Sequence, residues 1–155
     1  MDPIDRSILS LLQKDASLPI AEIAERVGLS QTPCWKRIQK LEASGIIKSR
    51  VALLNSKKLN LGLTVFVQLR TDKHDEVWLT KFSNAVRDMP EIVEVYRMAG
   101  DIDYLLRVVV KDTDSYDRFY KDLIKKISIH DVSSSFAMEE IKYTTSLPIE
   151  KIRAA

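Results

Sequence analysis

Apolar positions fall at helical spacing three times in the first 45 residues. Ile4, Ile8, Leu11 and Leu12 share one face of a helix expected over 3–14, with Asp2 as its cap, Pro3 at its first position and Asp5 in its first turn. Ile20, Ile23, Ala24 and Val27 line a second, short helix that begins near Pro19 and stops at Gly28, a residue suited to a left-handed C-terminal turn. Cys34, Ile38 and Leu41 line a third, capped by Ser30, tolerant of Pro33 in its first turn, and ending at Gly45. The run IIKSRVALL that follows is β-branched and basic, which predicts a short two-stranded ribbon, and NSKKLNLG reads as an exposed linker.

From Leu63 the period changes. Leu63, Val65, Val67 and Leu69 alternate with Thr64, Phe66, Gln68 and Arg70, the pattern of a half-buried strand. Residues 75–89 put Trp78, Phe82, Ala85, Val86 and Met89 on one helical face, closed by Pro90, and 92–99 and 102–111 read as strands around a turn at Gly100-Asp101. A helix over 113–127, with Tyr116, Phe119, Tyr120, Leu123, Ile124 and Ile127 inward, precedes a last strand, VSSSFAMEEIKY, and a tail. The order β-α-β-β-α-β is the ferredoxin-like pattern, so the fold class is α+β. Both helices cover one face of such a sheet. The strand around 102–110 is nevertheless apolar on both faces, with Leu105 and Val109 on one and Leu106, Val108 and Val110 on the other. A partner subunit is expected on the open face, and a lysine at Leu106 or Val108 is expected to split the dimer.

Composition narrows the function classes. The 155 residues carry 24 basic and 22 acidic side chains, so bulk charge names no partner. Locally, residues 31–60 hold Lys36, Arg37, Lys40, Lys48, Arg50, Lys57 and Lys58 against the single acid Glu42, a surface suited to phosphates. With no long apolar run and no signal-peptide layout at MDPIDRS, a cytoplasmic protein without a membrane span is expected. One cysteine, Cys34, and two histidines, His74 and His130, make neither an intrachain disulfide nor a zinc-site cluster, and both histidines are read as surface residues. Cys34 is read as a small buried apolar group. No metal and no cofactor are expected.

Two helices joined by a short turn at Gly28, the second of them basic, have the layout of a helix-turn-helix, whose recognition helix enters the major groove. With Cys34, Ile38 and Leu41 inward, the outward residues are Gln31, Thr32, Trp35, Lys36 and Gln39, flanked by Arg37 and Lys40, with Lys48 and Arg50 following. Glutamine pairs with adenine edges and lysine with guanine edges, while either base-reading set needs cations on phosphates. Trp35 is compatible with the DNA face or with the core.

The runs DPIDRSILSLLQKDA, IAEIAERVGLSQTPCWKRIQKLEASGIIKSRVALLN, GDIDYLLRVVVKD and SSFAMEEIKYTTSLP together resemble the Lrp/AsnC (feast/famine) transcriptional regulators over essentially the whole chain. The resemblance implies an N-terminal winged helix-turn-helix over 1–50, a hinge strand and linker over 51–62, and a C-terminal ferredoxin-like effector and oligomerisation domain over 63–155. It also implies binding to double-stranded DNA as a homo-oligomer, a dimer and further an octamer of four dimers, under control of a small amino acid. The stretches TPCWKR, RMAG and SSFAMEEIKYTTSLPIE resemble a branch concerned with cysteine breakdown, which nominates cysteine. One departure is Leu18-Pro19, where family members commonly place a small polar residue at the start of the second helix; proline preorganisation substitutes for the cap.

An amino-acid effector needs acceptors for its ammonium and donors for its carboxylate. The turn at Gly100 offers close backbone approach, free amides, and the carboxylates of Asp101 and Asp103. Carried over from the family, the effector set is Met98, Gly100, Asp101, Asp103, Tyr104 and Thr113, with Ser135, Phe136 and Ala137 from the partner side. Two rival readings stand beside this one. An architectural DNA-binding protein would need no effector, and a small enzyme would use Asp101 and Asp103 as a paired acid; no histidine or nucleophile lies near that pair in sequence, so no enzyme is expected.

Overall fold

The computed structural model describes residues 1–73 and 75–149, so His74 lies outside the described residues. The chain forms two compact units: residues 1–53 together with the segment from Lys142, and Leu54–Ile141. The described residues 142–149, within the expected domain of 63–155, cluster with the first unit.

In the first unit, α1 (Pro3–Leu12), α2 (Ile20–Arg26) and α3 (Gln31–Ala43) close around Ile8, Leu12, Ile23, Ala24, Cys34, Ile38 and Leu41. Helix α1 starts with a capping box: the Asp2 carboxylate accepts from the Asp5 amide at 2.8 Å and Asp5 accepts from the Asp2 amide at 3.2 Å. The turn after α2 is set by Gly28, whose φ of 70° lets its amide bond Glu25 O at 3.2 Å while Leu29 bonds Ala24 O at 2.9 Å. That pair of bonds aims the next helix. Ser30 stands at the N-cap of α3, but its side chain makes no cap bond, and Pro33 at the third helical position has no amide hydrogen to offer it.

The expected two-stranded ribbon after α3 does not form: residues 46–55 carry no strand, and Val51, Leu53 and Leu54 are exposed. A lone ribbon is marginal in water, and among the described residues no third strand lies beside this one. One 3-10 turn, Lys57–Leu59, follows and ends on Asn60.

The second unit holds β1 (Leu63–Arg70), α4 (Glu76–Arg87), β2 (Ile92–Arg97), β3 (Tyr104–Val110), α5 (Thr113–Lys126) and β4 (Asp131–Phe136). The sheet is antiparallel throughout, in the order β2-β3-β1-β4, the ferredoxin-like arrangement. Val65, Val67 and Leu69 of β1 and Leu106, Val108 and Val110 of β3 pack against Trp78, Phe82, Phe119 and Leu123 of the helices. Leu106 and Val108 therefore point to the helices and are fully buried, whereas Leu105, Arg107 and Val109 face the open side and stay half-buried. The position expected to split a dimer moves accordingly, from Leu106 and Val108 to Leu105 and Val109.

Strand β4 is shorter than the expected 132–143. Phe136 stands opposite Val65 and the Ala137 amide bonds Thr64 O at 2.9 Å, so β1, which begins at Leu63, has no more backbone to offer. Met138, Ile141 and Tyr143 beyond it are exposed.

Candidate functional site

The outer face of α3 carries Gln31, Thr32, Trp35, Lys36, Gln39 and Lys40, all exposed, with Lys48 and Arg50 after the helix. Trp35 is 47% exposed and so belongs to this face rather than to the core. Lys36, Lys40 and Lys48 have no carboxylate partner among the described residues. Gln39 and Arg50 are instead drawn together by Glu42, at 3.0 and 2.8 Å.

Arg37 departs from the sequence reading. Its guanidinium donates to Asp2 and, at 2.8 Å, to Asp5, fastening the middle of α3 to the capping box of α1. The spacing carries a signal for this: Arg37 lies three residues after Cys34 and four before Leu41, beside the inward stripe. The Asp2 carboxyl is held below the ordinary carboxylate value first by the Asp5 amide and then by Arg37. Burial pushes the Cys34 thiol up, which keeps it protonated and inert.

In the second unit, the turn between β2 and β3 closes on Gly100, whose φ of 138° suits glycine. Met98 donates its amide to Asp103 O at 2.8 Å, and Asp103 donates to Leu69 O at 3.0 Å. The Asp103 carboxylate is already engaged: it accepts from the Thr71 amide at 2.8 Å and ties the end of β1 to the turn. The Asp101 carboxylate is exposed and has no partner among the described residues, while Arg70 Nε donates to Asp101 O at 2.8 Å. Tyr104 is 6% exposed, with its ring 4.4 Å from that of Phe82 and 5.8 Å from that of Trp78. It is a core residue because position 104 points to the helix face of β3, as Leu106 does. A groove of about 490 Å³ on that face runs between α4 and β2 and shares only Tyr104 with the nominated effector residues.

The nominated residues form two groups. Met98, Gly100, Asp101 and Asp103 stand where β1 ends and β3 begins; Thr113 starts α5, beyond the far end of β3, and Ser135, Phe136 and Ala137 pair with the start of β1. Thr113, past the end of β3, is roughly 20 Å from the turn, whereas Ser135 is level with Phe66 and Arg107, three residues along from Tyr104 and two strands from β3. Within one chain they are not one site. Phe136 additionally turns to the helix side, its ring 5.3 Å from that of Tyr116.

Comparisons with known proteins bear on both units. Residues 1–48 match the winged helix-turn-helix DNA-binding model and 64–147 the Lrp/AsnC ligand binding domain model. The chain is 52% identical to the DNA-binding transcriptional activator DecR of Escherichia coli (strain K12) over 151 residues, covering 97% of this chain and 99% of that one. Its fold superimposes on the crystal structure of an AsnC family transcriptional regulator from Agrobacterium tumefaciens with a TM-score of 0.94 at 59% identity, covering 97% and 98% of the two chains. A transcriptional regulator from Neisseria meningitidis, crystallised as its L-Met complex, gives a TM-score of 0.92 at 37% identity, covering 96% and 97%. These relatives are regulators, not enzymes. A helix-turn-helix with an open basic face, an AsnC-type ferredoxin-like unit, and likeness to such regulators over nearly the full length together make this chain a member of the Lrp/AsnC family of DNA-binding transcriptional regulators.

Proposed function

We propose that the first unit reads duplex DNA with the outer face of α3 and that the second unit binds a free amino acid that alters that binding. The observation that carries the DNA half is the exposed Trp35 flanked by Lys36 and Lys40, cations with no carboxylate partner among the described residues. Gln31, Thr32 and Lys36 stand at the helix start that enters a major groove, and Lys40 and Lys48 supply phosphate contacts. Arg37 positions α3 and does not read bases.

The effector half rests on the Gly100 turn. Asp101 supplies the acceptor for the ligand's ammonium, and Asp103 is a positioning residue that holds the turn through Thr71. Because Thr113 lies past the far end of β3 and Ser135–Ala137 lie on or beside β4, two strands from β3, they complete such a site from a second subunit, which makes the homo-oligomer part of the ligand chemistry. The half-buried Leu105 and Val109, with exposed Phe66 beside them on the open sheet face, support a homodimer packed through that face. Larger assemblies, such as an octamer of four dimers, follow if the sites sit between dimers.

Cysteine is the effector that the sequence resemblance nominates, and methionine is the amino acid bound by the Neisseria relative. Titration calorimetry with each separates them. Binding of either, lost in Asp101→Asn and kept in Asp103→Asn, is the expected result for this assignment. Loss in Asp103→Asn alone, with an unchanged melting temperature, would transfer the ammonium contact to Asp103. No heat from any of the twenty amino acids would instead favour an effector-independent architectural role.

A further inference from the structure

The C-terminal segment leaves the second unit after β4 yet belongs to the first. Among the described residues, its hydrogen bonds to the three helices all run to Gln13. Gln13, at the C-terminal cap of α1, donates its side-chain amide to Leu147 O at 3.1 Å and accepts from the Leu147 amide at 2.9 Å. Its own carbonyl accepts from Ser146 Oγ at 3.3 Å. The amide side chain thus stands in for a neighbouring strand, holding both polar groups of one backbone residue. Two residues further on, Ile149 is buried, with 8% of its surface exposed. Between β4 and this anchor, residues 137–145 carry no helix or strand, and Met138, Ile141 and Tyr143 are exposed.

The chain therefore joins the two units twice, once at 53–54 and once at 141–142. The second path begins at the end of β4, where Ser135 and Phe136, with Ala137 just beyond, belong to the proposed effector set. It ends on α1, the helix that Arg37 fastens to α3. We propose that residues 144–149 are a releasable strap: docked on Gln13, they restrain the DNA-binding unit, and undocked they leave it joined through 53–54 alone. Among the described residues that contact is three hydrogen bonds and one buried isoleucine, small enough for a ligand of ordinary allosteric strength, about 5- to 150-fold in affinity, to shift it.

The inference rests on the proposed DNA reading for its consequence, but docking itself is measured without DNA. In hydrogen exchange on the full-length protein, the Leu147 amide should exchange at least about 10-fold more slowly than the Ile141 amide. Gln13→Ala should abolish that difference while the amides inside α1, α2 and α3 keep their protection. Leu147 exchanging as fast as Ile141 in the unaltered protein overturns the strap.

The second arm compares two duplexes. Restraint raises the effective concentration of one DNA-binding unit over the second half-site. Gln13→Ala should then weaken binding to a duplex with two half-sites by at least about 5-fold and leave a single half-site unchanged. Equal effects on both duplexes, or none on either, overturn it. Ile149→Asp, made in parallel, supplies the same comparison should Gln13→Ala unfold. An unaltered protein that binds neither duplex refutes the DNA reading, and the exchange arm then decides the strap alone.

Discussion

At the scale of single residues, neighbours on α3 take opposite roles. Lys36 is exposed and has no carboxylate partner among the described residues, whereas one position on, Arg37 is half-buried and bonded to Asp2 and Asp5. Lys36→Ala is expected to cost about 1–3 kcal/mol in operator affinity, if it reads a base edge, with no change in melting temperature. Arg37→Ala should lower the melting temperature. Fluorescence anisotropy and thermal denaturation on the same two variants separate the roles. Because Asp2 is held below its ordinary carboxylate value of 3.8, its contribution is complete at neutral pH and is lost as the pH falls below that value. The melting difference between the unaltered protein and Asp2→Asn, present at pH 7, should shrink progressively as the pH is taken below 3.8. The exposure of most of the α3 face was legible from the spacing of Cys34, Ile38 and Leu41. What a periodicity does not carry is the partner of a side chain: Arg37 needed the fold of α1 against α3 to meet Asp2, 35 residues away. Asp103 likewise needed Thr71, 32 residues away, to be committed.

At the scale of elements, alternation along β3 decides which faces are which. Leu105→Lys or Val109→Lys should yield a folded protein of halved mass by light scattering, since those side chains face the open side. Leu106→Lys should unfold the second unit, because a lysine there enters a fully buried position; far-ultraviolet circular dichroism distinguishes the outcomes. A Leu105→Lys protein that stays dimeric would remove the open face from the interface. Helices and central strands were readable from sequence because their hydrophobic period reports the core they share. The ribbon after α3 and the end of β4 were not, since β-branched composition states a preference and not the presence of a pairing strand. The packing of Tyr104 was hidden for a related reason. Adjacent to the Gly100 turn in sequence, it is turned by strand alternation into the aromatic cluster of Trp78 and Phe82.

At the scale of the whole molecule, the two bonds between Gln13 and Leu147 make the DNA-binding unit discontinuous in sequence. Topologically, the ferredoxin-like unit is an insertion into it, entered at residue 54 and left at 141. Modular engineering of such regulators has to respect that nesting. A chimaera cut once, near residue 53, would join the helices of one parent to the C-terminal segment of another and mismatch the amide that grips position 147. A chimaera that exchanges 54–141 alone leaves both halves of the grip with the same parent. Where single-junction hybrids of two relatives bind DNA poorly, double-junction hybrids of the same parents should recover.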